Sequence, residues 1–93
     1  MWDIRWSKAF EAEVDNLGLS VKRLDAVLWT TDWALHRAPT FFPAIPGTSL
    51  RLMPIDPFPE VPALRIYYRI EDDHIVELEW IEPVTEDLSE PID

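Results

Sequence analysis

The chain has 93 residues, 47% of them hydrophobic, and carries eight Lys and Arg against eighteen Asp and Glu, a net charge of −10. That length makes one domain. No stretch approaches the ~18 consecutive apolar residues of a membrane span, and the opening residues do not read as a signal peptide. The absence of Cys excludes disulfides and thiol chemistry and fits a reducing, cytoplasmic setting.

The charge is unevenly spread. Residues 1–70 hold eight acidic residues and all eight basic ones, and residues 71–93 hold ten acidic residues and no Lys or Arg. The second part repels nucleic acid and attracts a basic partner.

Trp2, Ile4 and Trp6 alternate with Asp3 and Arg5, which predicts a short first strand. Ser7 is placed to cap a helix, with Glu11 and Glu13 in its early turns and Phe10, Val14 and Leu17 as its buried stripe. Gly18 stops it. Ser20 caps a second helix whose stripe is Val21, Leu24, Leu28, Thr31 and Leu35, ended by Ala38-Pro39. Trp29 and Trp33 lie off that stripe. They either widen the buried face or form a partner-facing patch, and the patch would favour a homodimer.

Seven of the nine prolines fall between Pro39 and Pro62. Phe41 and Phe42 read as local core under this loop, and Pro46-Gly47 as a turn. Thr48 to Met53 reads as a second strand, with Leu50 and Leu52 on one face and Arg51 and Met53 on the other. Pro54 can stand only at its end or on a sheet edge. The following segment to Pro62 is a stiff connection.

Residues 64–81 alternate apolar and polar in two runs that meet at an acidic turn, the pattern of a β-hairpin. A three-residue loop at Asp72-Asp73-His74 sets Ile70 opposite Val76, Tyr68 opposite Leu78 and Ile66 opposite Trp80 on the apolar face. It sets Arg69 opposite Glu77 and Tyr67 opposite Glu79 on the polar face, leaving Ile81 there too. Asp or His then takes the left-handed position. Glu82-Pro83 ends the strand, Thr85 caps one more turn, and residues 85–93 form an acidic tail beyond the domain of residues 1–84.

The expected fold is α+β: a strand, then a two-helix hairpin packed on one face of a small, mostly antiparallel sheet ending in a β-hairpin. Arg5, Arg51, Arg65 and Arg69, with Tyr67, are expected to share the opposite, open face.

Leu64-Arg65-Ile66-Tyr67-Tyr68-Arg69-Ile70, the acidic turn and His74-Ile75-Val76-Glu77-Leu78-Glu79-Trp80 resemble the RelE/ParE superfamily, the toxins of bacterial type II toxin–antitoxin pairs. Ile4-Arg5-Trp6-Ser7 looks like the usual opening and Leu50-Arg51 like the second strand of that family. The resemblance spans roughly residues 2–83 and implies one of two activities. One branch cleaves messenger RNA on the ribosome without a metal or cofactor, as an endoribonuclease. The other poisons DNA gyrase. Both imply a cognate antitoxin that wraps the toxin. The carried-over catalytic residues are Arg65 and Arg51, with Arg69 and Tyr67 beside them.

The chemistry asked of them is specific. Arg65 and Arg51 would hold a phosphate with their guanidinium forks. Tyr67 would stack on a base or donate a proton. His74 has a suitable unperturbed pKa but sits at the rim. The segment Ile81-Glu82-Pro83-Val84-Thr85-Glu86-Asp87 carries acidic charge where the ribonuclease members carry Lys, Arg, His or Tyr. The alternatives are plain: Arg65 and Arg69 pair with Glu71, Glu77 and Glu79 on a solvated face, His74 is an ordinary turn residue, and the chain is a non-catalytic protein-binding member. His36 and His74 are far apart with no ligand cluster beside either, so no metal site is expected.

Overall fold

The computed structural model describes residues 2–84. Asp3–Trp6 forms strand β1, followed by helices α1 (Lys8–Asn16) and α2 (Val21–Arg37), strand β2 (Arg51–Ile55) and the hairpin strands β3 (Leu64–Asp72) and β4 (Ile75–Pro83). The sheet order is β1-β4-β3-β2. The two adjacent pairs on the β2 side are antiparallel, and β1 joins β4 in parallel. The α+β class and the position of both helices on one sheet face follow the sequence pattern. No helix among the described residues is long and apolar enough to cross a membrane.

Local chemistry explains the helix boundaries. Ser7 Oγ accepts the Phe10 amide at 3.0 Å, and Ser20 Oγ accepts the Arg23 amide at 3.3 Å, so each serine satisfies an orphan donor of the first turn. Gly18 follows α1 with φ +68°, a conformation a Cβ disfavours. Phe10 and Val14 of α1 are buried. In α2 Thr31 and Leu35 are buried and Leu24 and Leu28 pack against the core, as the expected stripe has them, whereas Val21 at the helix start is exposed and Val27 joins the buried face. The Thr31 hydroxyl donates to the Val27 carbonyl at 2.9 Å, which lets a polar side chain sit in that stripe.

The core joins both helices to one face of the sheet through Phe10, Val27, Leu35, Met53, Ile66, Tyr68, Leu78 and Ile81. Trp6 meets Phe10 edge-on at 5.1 Å. Strand β2 starts and ends later than expected, and Pro54 stands within it. As β2 is an edge strand, the missing amide costs no ladder bond on its free side. Phe42 packs against the core, but Phe41 is exposed rather than tucked under the loop.

The hairpin register agrees with expectation near the turn and departs from it toward the open end. Ile70 pairs with Val76, Arg69 with Glu77 and Tyr68 with Leu78. The turn itself is tighter than a three-residue loop. Asp72 pairs with Ile75, Glu71 is an extra residue in β3, and no Asp or His of the turn has positive φ. A second register shift falls between Tyr67, paired with Trp80, and Tyr68, paired with Leu78, leaving Glu79 as an extra residue in β4. Beyond it the faces exchange. Ile66 pairs with Ile81, which is fully buried, and Trp80 turns outward at 38% exposure.

The exchange has an energetic reason. An unbulged strand would bury Trp80 and expose Ile81, and either side chain gains about 1.5–3 kcal/mol from burial. The indole N–H breaks the tie. Inside it would need a partner, whereas outside it donates to Glu82 Oε1 at 3.2 Å. The bulge is tied down from β1, since Ser7 Oγ donates to the Glu79 carbonyl at 3.2 Å.

Tyr68 is the largest fully buried side chain, and its hydroxyl donates to the Pro39 carbonyl at 2.5 Å, joining β3 to the end of α2. Burial pushes its pKa up to about 12. Tyr68→Phe leaves that carbonyl without its partner. It should lower the free energy of unfolding by about 1–2 kcal/mol, read as a lower denaturation midpoint at unchanged slope.

Candidate functional site

The open face of the sheet is the side turned away from the helices. Period-two alternation brings Arg5 from β1, Arg65, Tyr67 and Arg69 from β3, and Glu77 from β4 onto it, as the sequence pattern predicts. The bulge adds Trp80 opposite Tyr67, and Glu82 lies opposite Arg65.

Arg51 does not join them. It pairs with buried Tyr68 and shares the side of Met53 and Ile55, the helix side of the sheet. Its Nη1 donates to the Phe42 carbonyl at 2.7 Å and the Thr40 carbonyl at 3.2 Å. An arginine stem lies comfortably along apolar surface when its charged tip finds carbonyls at the rim. Arg51 therefore holds the loop after α2, and the pair of cleft arginines expected from Arg51 and Arg65 is not assembled on one face.

The three arginines on the open face are all engaged. Arg5 pairs with Asp3 at 2.9 Å. Arg65 Nη1 lies 3.5 Å from Glu82 Oε2. Arg69 meets Glu71 at 2.7 Å, Glu77 at 3.0 Å and Glu79 at 2.7 Å. Five carboxylates thus face three guanidinium groups. The convergence of Glu71, Glu77 and Glu79 resembles a cation site, and the cation they converge on is Arg69. The Glu79 hydrogen bond raises the Arg69 pKa further. Burial, and then the Glu79 charge, raise the pKa of Glu77, a sign that one guanidinium does not offset three carboxylates. The Glu77 contribution is therefore fully present below the ordinary glutamate value and is lost as pH rises through the shifted one.

Tyr67 and His74 are poorly placed for acid–base work on this face. The Tyr67 hydroxyl donates to Glu82 Oε2 at 2.9 Å. Burial and the Glu82 bond raise its pKa, so it is a phenol and not a base near neutrality. His74 sits in the exposed turn with Nδ1 3.0 Å from Asp73 and 3.2 Å from Asp72. The Asp73 bond, with the Asp72 charge, raises its pKa and favours the imidazolium.

Tyr67, Trp80, Leu50, Glu79 and Glu82 line an open groove of about 560 Å³, with Arg69 at its wall. Trp80 and Glu82 are residues that the sequence pattern did not single out for function. The signal was there in Trp80-Ile81, two adjacent apolar residues that break the alternation running from Val76 to Trp80, as a bulge does. On the far side of the molecule Trp29 and Trp33 are 68% and 52% exposed, and Arg37 lies over the Trp33 ring at 4.6 Å. The pair therefore does not widen the buried face of α2. No protein-family model matches the chain, and no curated protein matches it.

Arg69→Ala leaves three carboxylates facing one another across β3 and β4. It should destabilise the domain by about 1–2 kcal/mol, as these groups are partly solvated. The deficit should shrink in high salt, and again as pH falls below about 4.5, because screening and protonation both relieve the repulsion. Thermal melts across salt and pH check both trends.

Proposed function

We propose that this chain is a non-catalytic, protein-binding member of the RelE/ParE-like toxins, and that its open sheet face docks a basic segment of a partner protein. The observation that carries this reading is the charge state of the face: each of its arginines is already paired with carboxylate, and Arg69 with three. A phosphate approaching Arg65 or Arg69 would have to displace those carboxylates and then remain beside them. A lysine- or arginine-rich segment meets the opposite field, and complementary charge speeds its encounter and sets its orientation. RNA cleavage without a metal needs a base for the 2′-hydroxyl, an acid for the leaving oxygen and free cations for the phosphate. Tyr67 with its raised pKa, His74 in the remote turn and Arg51 on the helix side do not supply that set.

The strand order, Arg65 followed by two tyrosines, and the hairpin with its acidic turn support the toxin-like part of the proposal. The gyrase-directed and antitoxin-bound members of that family act through protein contacts, which is the mode this face suits.

Two measurements together test the reading. In bacteria expressing the chain from an inducible promoter, bulk messenger RNA should stay intact, for wild type and Arg65→Ala alike. In vitro, a lysine/arginine-rich peptide should bind, weaken steeply with salt, and lose about tenfold in affinity to the Glu71→Gln/Glu77→Gln double variant. RNA cleavage that disappears in Arg65→Ala would overturn the reading.

A further inference from the structure

The groove beside the bulge has an unusual lining for an acidic surface. Two aromatic rings, Tyr67 and Trp80, stand opposite one another on β3 and β4, and both direct their polar edges at one carboxylate. Tyr67 Oη donates to Glu82 Oε2 at 2.9 Å, and Trp80 Nε1 donates to Glu82 Oε1 at 3.2 Å. Glu82 is therefore held at both oxygens, with Arg65 Nη1 at 3.5 Å as its counter-charge. Glu79 also lines the groove, and its Oε2 accepts from Arg69 Nε at 2.7 Å. The Arg69 cluster carries three carboxylates against one guanidinium, so this part of the lining keeps a surplus of negative charge.

We propose that this groove receives the side chain of an arginine from the basic partner segment, stacked on the Trp80 and Tyr67 rings and forked toward Glu79 and Glu82. The inference rests on the protein-binding reading above and names the residue type that the site selects. Four features point to a guanidinium. Aromatic rings attract cations, with Trp strongest, and the planar, weakly hydrated guanidinium adds stacking that a compact ammonium does not. The two carboxylates lining the groove, Glu79 and Glu82, offer acceptors to its forked donors. The groove volume of about 560 Å³ lies within the ~300–1,000 Å³ of pockets that hold a whole small ligand, ample for one side chain. Finally, the ring edges already satisfy Glu82, so the carboxylate is oriented before the ligand arrives and little ordering is needed on binding.

Anions are disfavoured by the same walls. A neutral aromatic ligand would leave the surplus charge at Glu79 uncompensated. The incoming guanidinium approaches Arg69 as well, and the three carboxylates around Arg69 screen that repulsion.

The test uses the full chain and three labelled peptides of one length: alternating arginine and glycine, the same with lysine for arginine, and the same with citrulline, the neutral isostere. The arginine peptide should bind more tightly than the lysine peptide by several-fold, and the citrulline peptide should lose about tenfold or more. Trp80→Ala and Glu82→Gln should each weaken the arginine peptide about tenfold and abolish its advantage over the lysine peptide measured on the same variant. The indole N–H resonance of Trp80 should shift on titration while those of Trp29 and Trp33 stay in place. Trp80 is half out of the surface, so the variant should fold. Should Trp80→Ala unfold, Glu82→Gln and the resonance shift carry the test. Equal binding of arginine and lysine peptides, unchanged in Glu82→Gln, would overturn the groove and leave the basic-partner reading standing. Citrulline binding as well as arginine would also overturn the groove. Failure of both basic peptides to bind wild type would overturn both readings.

Discussion

A strand can keep only one alternation, and β4 keeps two by inserting Glu79. Before that residue Val76 and Leu78 point into the core; after it Ile81 does. The extra residue lets both ends of the strand bury an aliphatic side chain against β3, and it turns an indole outward where its N–H has a partner. The groove, its two opposed rings and the doubly held Glu82 all follow from this one insertion. Ser7 secures it from β1 while capping α1, so a single hydroxyl serves the first helix and the bulge at once. The site is thus built where the ladder is irregular, as bulges commonly re-aim a side chain beside functional surfaces.

Charge decides what such a surface can hold. The adjacent tyrosines show how sharply the two faces differ. Tyr68 is buried with its hydroxyl on a backbone carbonyl, and Tyr67 is half-buried on the open side with its hydroxyl on a carboxylate. Both have raised pKa values, burial being the largest cause in each, yet only Tyr67 is available to a ligand. Around it, the exposed ion pairs add little to stability individually, each worth about a few tenths of a kcal/mol. Their collective effect is to set the field. Guanidinium groups that would otherwise attract phosphate are enclosed by glutamates of the neighbouring strand.

Much of this was legible in the residues. Serines at helix starts, Gly18 after α1, and the alternation of β3 against the first half of β4 each report a local constraint that tertiary packing left alone. The hairpin pairing of Ile70 with Val76 followed from parity, although the chain reaches it with an extra Glu71 and a tight turn. The misreadings share a cause. Alternation against Leu50 and Leu52 suggests the open face for Arg51, but backbone carbonyls from the loop after α2 receive its tip, and no sequence pattern announces distant carbonyls. Parity with Val76 and Leu78 points Trp80 inward, but the bulge at Glu79 reverses it, burying Ile81 and giving the indole N–H its partner at Glu82. In α2 the expected stripe holds from Leu24 to Leu35 and Val27 joins it, while Val21 in the first turn reaches past the core and is exposed. Side-chain partners that the alternation of residue types does not carry, distant carbonyls for Arg51 and the nearby Glu82 for Trp80, decided both cases.

The parallel pairing of β1 with β4 has a consequence for how the sheet comes together. Asp3 pairs with Ile75 and Trp6 with Leu78, across nearly the whole described chain. The antiparallel β3–β4 hairpin closes a short loop and can form early, whereas β1 must wait for β4 and then dock along its outer edge. Of the four strands β1 is made before β4, so it cannot pair until the hairpin has been synthesised. Until it does, the outer edge of β4 lacks its neighbour and the Glu79 bulge lacks the Ser7 hydroxyl that secures it. The groove is completed only when the two ends of the described chain meet.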